Sequence, residues 1–209
     1  MTPLLPASLA WYVTGRFYRS SDGNTVQDLG YFLHLGGITG SLFSDPKHPG
    51  EATALLTFRA EPFTSTPVTN GSLSLTMDPV GDFTVYLKHP GRPAASFDQP
   101  DSFSDGKPIA TFRRASVVVG GAFSDGPSDH RALSLNVFTA RLIWSREFAL
   151  DARWYDLKRL LPHGVTQWGQ AGPTAITPVP QGFSSVVPFL GSAVAVGPGP
   201  GASDPGPVF

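Results

Sequence analysis

Short runs in which apolar and polar residues alternate, separated by glycine, proline and aspartate, recur along most of this chain. Side chains of a strand point to opposite faces in turn, so this pattern restricts the chain to antiparallel sheet with one face buried. Between Ala52 and Phe63, Leu55, Thr57, Arg59 and Glu61 share one parity. Ala54, Leu56, Phe58 and Ala60 share the other, which reads as the core face. Leu73, Leu75 and Met77 alternate with Ser72, Ser74 and Thr76, and Phe83, Val85 and Leu87 alternate with Thr84, Tyr86 and Lys88. These two sets are expected to be buried together, joined by a hairpin connection at Asp78-Pro79-Val80-Gly81.

Leu9 to Arg19 and Val26 to Leu35 form a further hairpin across the turn residues Ser20 to Asn24. Ile38 to Phe43 is a shorter strand candidate, and Ile109 to Phe123 and Ala132 to Trp144 are two longer ones. In the last run Leu133, Leu135, Val137, Thr139, Arg141 and Ile143 fall on one parity, placing Arg141 on an otherwise apolar face. Its other parity also becomes apolar towards the end, as in a strand covered on both sides. One helix is expected over 151–161, capped by Asp151, with Trp154, Leu157, Leu160 and Leu161 at spacings of three and four. A strand through Phe148 and Leu150 competes with it. Phe-Ser-Asp occurs at Phe43, Phe103 and Phe123, but spacings of 60 and 20 residues define no repeat. The tripeptides read as buried aromatics followed by Asx turns. The fold class is therefore all-β: one antiparallel barrel or sandwich with at most one short helix.

From Pro162 onward the character changes, with nine prolines and nine glycines in the last 48 residues. The expected organisation is a β domain over 1–161 followed by an extended arm over 162–209 that is not an independent domain. Within the arm, Val186, Val187, Phe189, Leu190, Val194 and Val196 would form a sizeable apolar surface if free. They are the candidate contacts to a partner, whether another protein or a second copy. The arm is expected to dock in extended form on its own sheet or on another subunit.

Charge excludes some functions. With 15 basic and 16 acidic residues, a net charge of −1 supplies no electrostatic attraction for nucleic acid or an anionic membrane. The chain contains no cysteine, which removes disulfides, thiolate catalysis and cysteine-ligated metals. No apolar run reaches the length of a membrane-spanning helix. The first residues show no signal-peptide pattern, leaving the cytoplasm or export as a mature form open.

Candidate chemistry is sparse. Asp129-His130-Arg131 follows a turn cluster, and sequence neighbours do not make a catalytic triad. Asp98, Asp101 and Asp105 crowd one loop but miss the calcium-loop spacing, so no metal is expected. Asn70-Gly71-Ser72 is a formal glycosylation sequon and, first of all, a turn signal. No nucleotide or dinucleotide loop is present, and no cofactor is expected.

Charged and ionisable residues in or beside strands are the remaining candidates to line a ligand site: Arg141, Glu61, Arg113, His34 and Glu147. An inward charge needs an opposite partner, because an unpaired buried charge is very costly. Arg113-Arg114 sends one arginine to each face, so one of the two is expected inward. His34 takes solvent if Leu33 and Leu35 take the core. The leading expectation is a non-catalytic β domain that binds or assembles through its arm. The alternative is a calycin-like or cyclase-like barrel that binds or isomerises an apolar small molecule without a cofactor.

Overall fold

The structure is a computed structural model and describes residues 2–64, 67–70, 73–76, 81–89, 93–114, 121–123, 132–172 and 174–197. The first strands are β1 (Leu9–Ser20), β2 (Thr25–Leu35), β3 (Leu56–Ala60), β4 (Phe63–Thr64), β5 (Pro67–Asn70), β6 (Leu73–Thr76) and β7 (Asp82–Leu87). They are followed by β8 (Lys107–Arg114), β9 (Gly121–Phe123), β10 (Ala132–Ser145), β11 (Phe148–Leu150) and β12 (Arg153–Tyr155). A short helix α1 (Leu157–Leu160) precedes β13 (Val165–Ala171) and β14 (Phe183–Ala195).

Eight of these strands close into an antiparallel barrel in the order β1-β14-β13-β10-β8-β7-β3-β2, with β2 pairing back onto β1. The all-β expectation holds, and between barrel and sandwich the chain forms a barrel. Leu56, Phe58 and Ala60 point inward with Phe83, Val85 and Leu87, as their parities require. The companion set Leu73, Leu75 and Met77 lies outside the residues whose side chains are described, as does His130.

The interior is aromatic. Trp11 meets Phe32, Phe83 and Phe112 edge-on at centroid distances of 5.6, 6.3 and 5.5 Å, while Phe83 and Phe112 stack at 5.1 Å. These geometries suit the ring quadrupoles. An eight-stranded barrel has room inside for side chains and little more, so large rings need small residues beside them. A Cβ on Gly15 would come within 2.7 Å of the Phe189 ring. One end of the barrel is filled by Leu35, Leu42, Phe148, Leu150, Tyr155 and Leu160, which belong to the same core.

A second, smaller core lies outside the wall. Tyr18, Leu29 and Val186 point outward and are covered by Ala95, Phe97 and Phe103. The Tyr18 hydroxyl donates to the carbonyl of Phe97 at 2.7 Å, and burial pushes its pKa well above the ordinary phenol value. The Thr57 hydroxyl donates to the carbonyl of Phe103, and Lys88 Nζ to that of Ser102, both at 2.7 Å. Among the described residues, β1, β2, β3 and β14 are thus covered on both faces over part of their length. The end of β10, expected to be doubly covered, leaves Ile143 and Trp144 about half exposed.

Two local expectations are corrected. The helix over 151–161 is reduced to α1, whose cap is Asp156: its side chain accepts from the Lys158 amide. Asp151 and Ala152 instead take left-handed φ values of 48° and 59° and turn the β11–β12 hairpin. The boundary at residue 162 also shifts. Val165–Ala171 and Phe183–Ala195 are barrel strands, so these two segments of the supposed arm are wall. Residues 198–209 lie outside the described residues. Pro188 is accommodated in β14 opposite Arg16, and the proline-rich stretch between β13 and β14 forms their connection.

Two outcomes follow. A chain ending at Gly172 loses β14 and hence both of its neighbours' pairings, and is expected to show no cooperative thermal transition by circular dichroism. Phe112→Ala, in the middle of the ring cluster, is expected to cost about 3–5 kcal/mol in urea unfolding.

Candidate functional site

Strand alternation inside a barrel brings together residues far apart in sequence. Inward positions include Asp28 on β2, Arg114 at the end of β8, Asn136 on β10 and Gln167 on β13, all buried. Arg114 and Asp28 form an ion pair with side-chain exposures of only 3% and 6%. Both carboxylate oxygens accept from the same nitrogen, Nη2 of Arg114, at 2.7 and 2.5 Å. The guanidinium also lies 4.8 Å from the Phe138 ring centre and 5.5 Å from that of Phe83, where the ring faces attract a cation. Because Asp28 engages one nitrogen rather than the two-pronged fork, Arg114 Nε is left buried without a hydrogen-bond partner.

Beside this pair, Gln167 Oε1 accepts from the Trp11 indole N–H at 2.8 Å. Asn136 sits directly across from Gly169, where any Cβ would come within 2.4 Å of Asn136 Oδ1. Glycine is therefore what admits the carboxamide to the interior. Asn136 Oδ1 is itself buried and unpaired.

Two small cavities adjoin this polar cluster. One, of about 10 Å³, is lined by Trp11, Phe32, Phe58 and Phe83. The other, of about 20 Å³, is lined by Phe17, Phe63, Asn136 and Phe189. Asp28, Arg114, Phe138 and Gln167 border both. Each has room for about one water molecule.

The sequence candidates fall elsewhere. Arg141 faces outward and is exposed, opposite Arg113 of β8. The inward parity of β10 is the one carrying Asn136, Phe138 and Ala140, contrary to the apolar count. Arg113 is also exposed and pairs in a two-pronged fork with Asp82 at 2.9 and 3.0 Å, which raises its pKa. The inward member of the Arg113-Arg114 pair is thus Arg114. Glu61 is exposed, and Glu147 lies 3.5 Å from Arg159 at the surface. His34 is exposed beside Tyr12, together with Leu33, because a register shift in the β1–β2 pairing puts Phe32 and Leu35 inside. Asp101 of the acidic loop pairs with Arg59 at 2.6 Å.

Of the arm residues, Val186 and Phe189 are buried in the two cores and closed to any partner. Val187, Val194 and Val196 are half-buried and Leu190 is exposed.

Comparison with protein-family models, curated proteins and solved structures finds no match to this chain. Among the described residues no helix is long and apolar enough to cross a membrane.

Removing one member of a buried ion pair strands the other. Arg114→Met is therefore expected to lower unfolding free energy by about 3–5 kcal/mol, and the double variant Asp28→Leu/Arg114→Met by much less. Urea titrations of the two variants measure the difference.

Proposed function

We propose that the barrel interior binds a small, largely apolar molecule. The reading is carried by two buried polar atoms, Arg114 Nε and Asn136 Oδ1, that have no partner in an otherwise aromatic interior. Leaving such a group unmade costs about 1–3 kcal/mol, and buried polar atoms are paired almost everywhere in folded proteins. Water satisfies them when the site is empty, and a ligand's polar group takes its place. The aromatic walls supply apolar contact, and because each cavity holds about one water, a ligand enters only as the rings lining them part.

Binding is favoured over isomerisation. Asp28 is the one buried carboxylate among the described residues, and Arg114 holds both of its oxygens. That engagement suits a fixed dipole better than a group that takes and returns protons.

Trp11 reports on this reading, because its indole N–H lies inside the barrel whereas Trp144, Trp154 and Trp168 are exposed. Titration with phenol, followed by nitrogen–proton NMR, is expected to shift the Trp11 indole signal and leave the other three in place. Shifts confined to the exposed tryptophans would mean surface adsorption and remove the proposal.

A second reading, assembly between copies, rests on the outer wall. Trp168, Ser192 and Tyr12 are neighbours across β13, β14 and β1, and Leu190 lies one step along, 61% exposed. Sedimentation is expected to show an oligomer that Leu190→Lys disrupts. A monomeric parent protein ends this reading.

A further inference from the structure

The eight barrel strands are held to their neighbours by main-chain ladders, but the β11–β12 hairpin is not. It is a separate two-stranded sheet, closed on itself by the tight turn at Asp151 and Ala152. Among the described residues, no hydrogen bond between main-chain atoms joins residues 147–155 to any other segment. Side chains alone hold the hairpin down. Phe148, Leu150 and Tyr155 point into the end of the barrel and are buried there. Tyr155 Oη donates to the carbonyl of Thr39 at 3.0 Å and accepts from the Thr39 amide at 3.3 Å. Asp151 Oδ2 accepts from the Ser41 amide at 3.2 Å, and Arg153 Nη1 donates to Thr39 Oγ1.

The root of the hairpin, by contrast, is pinned. Ser145 Oγ donates to Asp156 Oδ1 at 2.5 Å, tying together the residues that flank the hairpin on either side. The Arg146 amide donates to the carbonyl of Ile109 on β8 at 3.0 Å. Segments held by few main-chain bonds open at lower free energy than the ladders of a core. The hairpin shares its end of the barrel with Leu35, the cross-strand partner of Trp11, and the Trp11 ring lines the smaller cavity.

We propose that the β11–β12 hairpin is a flap that lifts from the end of the barrel while the barrel itself stays closed. Lifting breaks the contacts to Thr39 and Ser41 and withdraws Phe148, Leu150 and Tyr155, but leaves every barrel pairing intact. Its use as a ligand's way in rests on the binding reading above. The lining rings part most readily where the wall over them has no ladder.

The chain has no cysteine, so a single thiol can be placed where it reports on opening. Leu150→Cys puts one on the inner face of the flap, Leu35→Cys one on the barrel wall at that end, and Val85→Cys one deep in the core. Labelling by a maleimide is followed at rising urea, below the unfolding transition. At positions 150 and 35 the rate is expected to be nearly independent of urea, because lifting a flap exposes little surface. At position 85 it is expected to climb with urea, as global unfolding does. Adding Tyr155→Phe to Leu35→Cys is expected to speed labelling about tenfold, the contribution of one hydrogen bond. A rate at 150 and 35 that climbs as steeply as at 85, or one that Tyr155→Phe leaves unchanged, overturns the flap. Should the cysteine variants not fold, hydrogen exchange of the Thr39 and Ser41 amides in the parent protein takes their place, with the same two urea outcomes. No ligand enters these measurements, so they are separate from the phenol titration. Phenol bound behind a flap that does not lift removes the flap and leaves the binding reading; a flap that lifts with phenol inert does the reverse.

Discussion

β1 is hydrogen-bonded along nearly its whole length on both sides, to β14 and to β2, and this double pairing turns a sheet into a closed wall. An open sheet leaves two rows of unpaired backbone groups, and closure removes both. It also joins the first described strand to the last, so no part of the barrel is complete before the whole of it is. The long outer loop between β7 and β8 and the β13–β14 connection then lie on finished wall, forming the small outer core around Tyr18 and Phe103.

Closure fixes the space inside. Eight strands leave a narrow interior, and the chain fills it with Trp11, Phe32, Phe83, Phe112 and Phe138. The fit depends on backbone positions without a side chain: Gly15 admits Phe189 and Gly169 admits Asn136. The same confinement gives the polar cluster its character. In water an aspartate and an arginine attract one another weakly, whereas inside a ring of phenylalanines each is costly without the other. The Asp28–Arg114 pair is therefore obligatory once either residue points inward. Its geometry decides which polar atoms remain for something else.

Much of the wall was legible in the sequence, because period-two alternation is a local property. The inward parity of Ala54 to Ala60 and of Phe83 to Leu87 follows from residue order alone. Where outer loops add a second covering, or a bulge shifts the register, alternation loses its meaning. Leu33 and His34 are both exposed for that reason, and β10 shows the same failure in another form. Its apolar count favoured the parity of Arg141, yet the parity of Asn136 faces in, because the gap over Gly169 and the neighbouring polar groups accept an amide. The proline- and glycine-rich C-terminal stretch misled in the same way: its composition resembles an arm, but two of its segments are the strands that complete the ring.

The site was less legible than the wall. Gln27-Asp28, Asn136 and Gln167 are ordinary polar residues within strand runs, a signal too common to single out. Arg113-Arg114 did announce that one arginine faces inward, since consecutive strand residues must oppose one another. The sequence by itself determined an all-β chain, rich in aromatic residues for its cores. Tertiary structure alone decided that the sheet closes, which arginine enters, and that Asp28 meets it across 86 residues of chain. Alternation is encoded between neighbours, whereas closure and the pairing of buried charges depend on strands distant in sequence sharing one confined interior.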